Sequence, residues 1–327
     1  MHREAISPST NSLVPMVSGN TPTFLGAKKV FAGDLSTVDA VIAGLPWEGS
    51  NTWGSYSACE QAPKACRNAS LRYGTGYVPE YDIDIAQHLR LGDFGDLPVA
   101  PTDALKTAAS FESEASVLFN SNAVPIFFGG DHSVSYPVVK ALSEIRPGRF
   151  GVIQFDAHLD NSDDFGADPF ARCCPLRRIT ELPGIDPQKV VQVGIHGPRN
   201  SPSQMQFARD NGVNIFTSSD IKRQGLASII DQASTLAHGV DGYYITICSD
   251  VIDHAFNPGG PLDFGGLTAG EMLESLYRLA SGPMLGLDIV EVYPRSDVND
   301  ASIHLATWLA IYGLAGLAER ARSRTQQ

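Results

Sequence analysis

The chain has 327 residues, of which 43% are hydrophobic and 18% charged, as in a globular protein that buries a sizeable core. Its formal net charge of −12 would repel phosphate backbones and anionic lipid. Neither nucleic acid nor a membrane is therefore an expected partner, whereas a small cation would be attracted. The chain has no uninterrupted apolar run of about 18 residues and no signal-peptide pattern at its start, so we expect a cytoplasmic protein.

The N-terminal segment, residues 1–25, is rich in Ser, Thr, Pro and Asn and shows no apolar period. We predict that it forms an arm, which either is disordered or packs on a neighbouring subunit. No linker interrupts the pattern that follows, which predicts one domain over residues 26–327.

From residue 26 onward, continuous apolar runs alternate with helix-like stretches. Continuous runs are typical of strands that are covered on both faces, and the alternation predicts an α/β fold with three α/β/α layers and a central, mainly parallel sheet. The predicted strands are residues 38–45, 123–130, 149–156, 189–196, 242–249 and 283–292. The predicted helices are residues 103–119, 134–145, 203–210, 226–237, 268–280 and 301–322.

Five cysteines, with no CxxC pair in a chain that does not need disulfide cross-links, predict reduced thiols. Four of them are expected to be small buried or loop residues: Cys59, Cys66, Cys173 and Cys174. Cys248 differs, because it lies at a strand end beside acidic residues.

Three predicted strand ends carry acids and histidines: GGDHS from Gly129, DAHLD from Asp156 and CSD from Cys248. Sites of parallel sheets form beyond the carboxyl ends of strands. In DAHLD the two acids and the histidine occupy alternate positions, so their side chains point the same way. Such a cluster needs a cation, and carboxylate plus imidazole suits Mn, Ni, Co or Zn. The alternative is a solvated strand end with a chance histidine, which the nearby GGDHS motif disfavours.

These motifs and the later strand GLDIVEVYP resemble, in order and spacing, three signatures of the ureohydrolase (arginase and agmatinase) family. The segment GLPWEGSNTWG from residue 44 is similar to that family's first strand and loop. The resemblance extends from about residue 38 to the last predicted helix. It implies an arginase-like fold, two divalent metal ions (Ni or Mn) and hydrolysis of a small cationic guanidino substrate by hydroxide held between the metals.

The resemblance also implies roles for individual residues. His132 and Asp160 would bind one metal ion, His158 and Asp250 the other, and Asp156 would bridge them. Glu291 matches the family's acidic residue that faces the substrate guanidinium. The candidate pocket residues are Trp47, Glu48, Trp53, Tyr56 and His196. Asp253 is expected to cap the loop after Asp250 rather than to bind metal.

The chain departs from the family pattern at several positions. Cys248 replaces the second bridging Asp, and His254 replaces a Pro that follows it. Arg172, in RCCPLRR, replaces the acid/base His of HGTPFRR, and arginine does not release a proton near neutral pH. His196 stands where relatives often have Arg, and a satisfied loop histidine explains it equally well.

These departures have physical consequences. A bridging thiolate would shift the preference from Mn toward Ni, Co or Zn, whereas a protonated thiol would leave one ion weakly bound or absent. The positive charge of Arg172 opposes metal binding. We hypothesise that Arg172 occupies the substrate position and pairs with Glu291, and an Arg172 side chain in bulk solvent would contradict this.

Two functional hypotheses follow, of which the sequence slightly favours the first. The chain is either an accessory subunit with a degenerate site beside a catalytic partner, or an independently active, agmatinase-like guanidino hydrolase. Family members form trimers or hexamers, and a mixed assembly would resemble metformin hydrolase, a heteromeric nickel-dependent relative that acts on a biguanide. The retained metal-binding side chains favour the second hypothesis. Amide hydrolysis, as in histone-deacetylase-like enzymes, is a third and weaker alternative, because those enzymes use one metal.

Overall fold

The structure is a computed structural model that describes residues 21–49, 56–74 and 76–325. Most of the predicted arm and the predicted pocket residue Trp53 lie outside the described residues. The strands are β1 (Lys28–Lys29), β2 (Ala40–Leu45), β3 (Tyr77–Val78), β4 (Ile83–Asp84), β5 (Leu91–Asp96), β6 (Val124–Gly129), β7 (Phe150–Phe155), β8 (Val190–Ile195), β9 (Asn214–Thr217), β10 (Gly242–Cys248) and β11 (Met284–Val290).

Ten α-helices accompany these strands in the described residues. They are α1 (Ala62–Ser70), α2 (Ile85–His88), α3 (Ala104–Phe119), α4 (Ser135–Ile145), α5 (Pro175–Thr180), α6 (Pro202–Asn211), α7 (Ser218–Gln224), α8 (Leu226–Ala237), α9 (Ala269–Ser281) and α10 (Ala301–Thr325). All six predicted helices are confirmed to within two residues at either end, except that α10 continues three residues further. The helices that were not predicted are short.

Nine strands form one sheet in the order β1-β5-β2-β6-β11-β10-β7-β8-β9, and every neighbouring pair is parallel. The predicted fold class and the six predicted strands are confirmed. The three further strands of this sheet were missed, because β1 has two residues, β9 is only half-buried and β5 reads LGDFGD rather than as an apolar run.

The helices cover both faces of the sheet, so that two hydrophobic cores lie on either side of it. One core contains side chains of α1, α8, α9 and α10, and the other contains side chains of α3, α4 and α5. Phe24 and Leu25, at the end of the predicted arm, are buried in the first core. Packing therefore begins within the segment that was predicted as an arm.

Helix α10 is the one helix of the described residues that is long and apolar enough to cross a membrane. Of its most apolar 18-residue window, 78% is buried inside the fold. Its apolar surface is thus already covered by the first core, as in a central helix of a globular protein.

The four central strands, β6, β11, β10 and β7, lie side by side and point the same way. Their carboxyl ends therefore meet at one edge of the sheet, where GGDHS, Glu291, Cys248 and DAHLD follow the strands in turn. This is the edge at which parallel sheets form their sites.

Candidate metal centre

The loop after β6 packs closely against the loop after β2. A Cβ atom at Gly130 would lie 1.7 Å from the carbonyl oxygen of Trp47, so only glycine fits at this position. The next amide, that of Asp131, donates to the same carbonyl oxygen at 3.0 Å. The two strand ends are thus held together, which fixes the position of His132.

His132 faces two carboxylates of the DAHLD motif. Its Nδ1 lies 2.8 Å from Oδ2 of Asp160 and 3.1 Å from Oδ2 of Asp156, all three residues being buried. Neither contact has hydrogen-bond geometry, so this buried nitrogen has no hydrogen-bond partner. An imidazole nitrogen and two carboxylate oxygens that converge without hydrogen bonds fit a divalent metal ion, which would bind the nitrogen in its deprotonated form.

His158 occupies the other side of Asp156. Its Nδ1 lies 3.0 Å from Oδ2 of Asp250 and 3.4 Å from Oδ1 of Asp156. The carboxylate of Asp250 is anchored by the amide of Ala157, which donates to it at 3.1 Å. Asp156 thus lies between the two histidines, where one carboxylate can serve two ions.

The buried charges of this cluster shift the pKa values of its members. Burial alone would lower the pKa of His158, but the charge of Asp250 and contacts with Asp156 outweigh it and raise that pKa; contacts with Asp156 and Asp160 likewise raise the pKa of His132. Burial and the charge of Asp156 raise the pKa of Asp160 to about 6. Both histidines therefore hold protons that a metal ion would have to displace.

Cys248 is the last residue of β10, and its buried side chain belongs to this cluster. Its Sγ, a nitrogen of His132 and an oxygen of Asp156 all lie within 4.8 Å of one another. Burial, followed by the charges of Asp156 and Asp250, raises the pKa of the Cys248 thiol well above its ordinary value. Without a metal ion the thiol is therefore neutral at pH 7.

Buried polar side chains behind the centre orient its members. Thr246 Oγ1 lies 3.1 Å from Nε2 of His132 and donates to Asp288 at 2.6 Å. On the neighbouring strand, Gln154 donates to Oδ2 of Asp156 at 2.7 Å. Metal-binding groups commonly have such partners, which fix their tautomer and orientation.

The backbone adopts left-handed conformations at two of the predicted site residues. The φ angle is 46° at Asp160 and 61° at Glu291. Such conformations cost on the order of 1 kcal/mol for a residue other than glycine and are concentrated at functional sites. Both carboxylates face the centre, since Oδ2 of Asp160 lies 2.8 Å from Nδ1 of His132 and Oε1 of Glu291 accepts from the His132 amide at 2.8 Å.

Arg172 is buried and contacts Glu291. Its Nη1 donates to Oε2 of Glu291 at 3.2 Å and to the hydroxyl of Tyr293 at 3.2 Å. Its Nη2 lies 3.4 Å from Asp131 and 3.5 Å from Glu48. Burial alone would lower the pKa of Arg172, but the charges of Glu291 and Asp131 raise it, so the guanidinium stays charged. The bulk-solvent orientation that would have contradicted the hypothesis is not found.

A cavity of about 270 Å³ opens onto the candidate metal-binding side chains and onto Arg172. Its walls include His158, Asp160, Cys248, Asp250 and Glu291. Of the predicted pocket residues, Trp47 and Glu48 line a separate groove of about 800 Å³, although Glu48 also reaches Arg172. The predicted pocket residue His196 lines neither the groove nor the cavity. Its Nδ1 lies 2.6 Å from the carbonyl oxygen of Gly194.

Two further expectations concern the loops. Asp253 accepts hydrogen bonds from the amides of Ala255 (2.9 Å) and Gly265 (2.6 Å), as expected of a loop cap. Tyr56 is half-exposed and bonds to Glu60 rather than lining the metal cavity.

Three residues near the centre were not predicted individually. Asp263 lies 3.4 Å from Nε2 of His158, Tyr293 contacts Arg172, and Asp131 contacts Arg172. Tyr293 and Asp131 belong to motifs that had been noticed, two residues after Glu291 and within GGDHS. Asp263 lies in a loop with no motif, so only the three-dimensional contact reveals it.

Comparisons with known proteins identify the family of the chain. The sequence matches the Arginase family over residues 38–315. It is 31% identical over 314 residues to a guanidinopropionase of Pseudomonas aeruginosa, covering 94% of this chain and 95% of the relative. It is 34% identical to an agmatinase of Pyrococcus horikoshii, covering 84% and 91%. The structure of proclavaminate amidino hydrolase from Streptomyces clavuligerus superposes with a TM-score of 0.82 at 26% identity, covering 92% and 98%. The chain therefore belongs to the arginase family.

Proposed function

We propose that this chain is a subunit of a metal-dependent ureohydrolase that hydrolyses a C–N bond of a guanidino or biguanide compound, with a related partner chain carrying most of the catalysis. The substrate class is supported by the names of its relatives, a guanidinopropionase, an agmatinase and an amidino hydrolase. The accessory role is supported by one observation above all: the buried Arg172 guanidinium contacts Glu291, the side chain that would face a substrate guanidinium.

We propose that His132, Asp156 and Asp160 hold one divalent metal ion, and that His158, Asp156 and Asp250 hold a second where it is present. When bound, such ions depress the pKa of water and supply a hydroxide nucleophile near neutral pH. Cys248, whose Sγ lies within 4.8 Å of ligand atoms of His132 and Asp156, would be a further ligand in this centre. As a thiolate it would favour Ni, Co or Zn over Mn, and as a thiol it would weaken one of the two sites.

Arg172 stands where the family pattern has the proton donor that serves the leaving group in hydrolysis of a C–N bond. Its raised pKa excludes proton transfer by the guanidinium itself. It also pairs with Glu291, which would otherwise attract the substrate. A partner chain with a complete site, in a trimer or hexamer, would supply both functions.

The second candidate is an independently active hydrolase. It is favoured by the retained cluster of histidines and carboxylates and by the 270 Å³ cavity beside it, which a small guanidino compound would enter. In this case water or another residue carries the proton, and the Arg172 side chain moves aside when substrate binds.

The experiment measures metal content per purified chain and the release of urea or guanidine from a panel of guanidino compounds. The chain is assayed alone and after co-expression with a related arginase-family chain of the same source. We expect fewer than two ions per chain, no turnover alone and turnover of the co-purified assembly. Turnover by this chain alone that Cys248→Ala abolishes would establish the second candidate instead. Cys66→Ala, a buried thiol on α1, is the matched control.

A further inference from the structure

We propose that Glu48, Asp131, Glu291 and Tyr293 form a guanidinium-binding cradle, and that the side chain of Arg172 is its resident ligand. The inference deepens the proposed function and rests on it for the link to substrate. The cradle is filled by the chain itself, and it remains able to bind a free guanidinium ion once the Arg172 side chain is removed.

The cradle presents oxygen atoms to both terminal nitrogens of one guanidinium. Nη1 of Arg172 is 3.2 Å from Oε2 of Glu291 and 3.2 Å from the Tyr293 hydroxyl. Nη2 is 3.4 Å from Oδ2 of Asp131 and 3.5 Å from Oε1 of Glu48. A planar cation with several N–H donors matches this set, whereas an ammonium ion is a point charge that meets fewer of its oxygens.

The cradle carries more negative charge than its resident ligand balances. Three carboxylates surround one cation, and the side chains of Glu291, Asp131 and Glu48 are 4%, 0% and 7% exposed. Buried carboxylates that lose a paired cation must take up a proton or bind another cation. Removal of the Arg172 side chain therefore leaves a buried anionic site with a high affinity for a small cation.

The carboxylates are also held in place by groups other than Arg172. Every one of them accepts hydrogen bonds from main-chain amides, which keep their oxygens directed into the cradle after the arginine is truncated. The donors are His132 to Glu291 (2.8 Å), Gly49 and Ser133 to Asp131 (2.6 and 2.9 Å), and Ser57 and Ala58 to Glu48 (2.9 and 3.0 Å). A site that is preorganised in this way binds its ligand without the entropy cost of ordering its side chains.

The test uses Arg172→Gly in metal-free full-length protein, titrated with guanidinium and methylguanidinium and followed by thermal unfolding and calorimetry. We expect one ion per chain and a rise in Tm of about 2 °C at a concentration tenfold above Kd. Urea, which has a similar shape and no charge, and tetramethylammonium, which has the charge and no donors, should give no rise. Wild-type protein should not respond, because its cradle is filled.

Two variants test the assignment to this cradle. Arg172→Gly combined with Glu291→Gln should weaken guanidinium binding at least tenfold. Arg199→Gly removes another arginine that lines the same cavity and that pairs with Asp263, outside the cradle, and should show no guanidinium-specific response. An equal response of Arg199→Gly, or of wild type, would overturn the proposal.

Failure to fold is also informative. If Arg172→Gly is recovered as folded protein only when guanidinium is present, and not with urea, the cradle is confirmed by its ligand dependence. If it does not fold under either condition, Arg172→Ser is titrated in the same way, and a folded variant without guanidinium binding refutes the proposal. Because no metal and no turnover are involved, a negative result here is distinguishable from failure of the proposed hydrolase function.

Discussion

Replacing Cys248 by aspartate tests whether this side chain occupies the position shared by two metal ions. Cys248→Asp restores the residue that the ureohydrolase pattern has there. In the metal-free protein, however, it places another negative charge among buried carboxylates in place of a neutral thiol. The variant should therefore be less stable than wild type without metal and should respond more strongly to metal.

The size of the effect follows from the geometry. Repulsion by Asp156 at the 4.8 Å limit that also contains Cys248 Sγ is about 3.5 kcal/mol at an effective dielectric constant of about 20, and the protonated His132 within the same limit offsets it. The remaining cost is the desolvation of the buried carboxylate. Protonation of the new carboxyl group limits the cost at pH 7 to about 4 kcal/mol, because its unperturbed pKa is about 3.9. With an entropy of unfolding of about 2.1 cal/mol/K per residue, the Tm should fall by up to about 6 °C.

The assay is thermal unfolding of EDTA-treated protein with and without Mn²⁺ or Ni²⁺. Cys248→Ser is the control, because it removes the thiol without adding charge. Mn²⁺ should raise the Tm of Cys248→Asp by more than it raises that of wild type, since the added carboxylate is a hard ligand. Two results would show that Cys248 does not lie at the shared position. One is an equal Tm for metal-free Cys248→Asp and metal-free Cys248→Ser. The other is a rise in Tm with Mn²⁺ that is no larger for Cys248→Asp than for wild type.

Three further outcomes follow from the structure. Metal affinity, measured by calorimetry, should rise about tenfold per pH unit for each proton displaced, because the raised pKa values of His132 and His158 keep both protonated near neutrality; a constant affinity between about pH 6.5 and 8.5 contradicts this. Thr246→Val should weaken metal binding about 10- to 100-fold by releasing Nε2 of His132, whereas the buried Thr307→Val on α10 should not. Asp253→Ala should cost about 1–2 kcal/mol in a urea melt and leave metal content unchanged, since it removes a loop cap; loss of metal would show instead that Asp253 is a ligand.

The central strands were predictable from the sequence because they are buried on both faces. Such strands read as continuous apolar runs, and all six predicted ones are present. Strand β5 was not predictable in this way. Its buried Asp93 pairs with Arg67, 26 residues away, through Nε at 2.9 Å and Nη2 at 3.0 Å. That ion pair between distant positions leaves no local periodicity to detect.

The metal cluster was predictable for a related reason. Its members follow parallel strands, and the carboxyl ends of adjacent parallel strands must meet. The contacts of Arg172 with Asp131 and Glu48 were not predicted, since three separate loops contribute them. The metal-ligand roles stay predictions for the experiments above. The single-domain assignment also stays a prediction.

The two departures from the family pattern, Cys248 and Arg172, change the net charge of the pocket in the same direction. Relative to that pattern, a neutral thiol at Cys248 removes one negative charge, and Arg172 in place of a neutral histidine adds one positive charge. The pocket is thus more positive by two charges, which is the charge of one divalent ion. A pocket with a single ion here has the same net charge as the family's pocket with two. We therefore expect about one ion per wild-type chain by elemental analysis, and about two for the double variant Cys248→Asp with Arg172→His. Two ions in wild type would show that the thiol binds as thiolate and that Arg172 does not take the place of a metal charge.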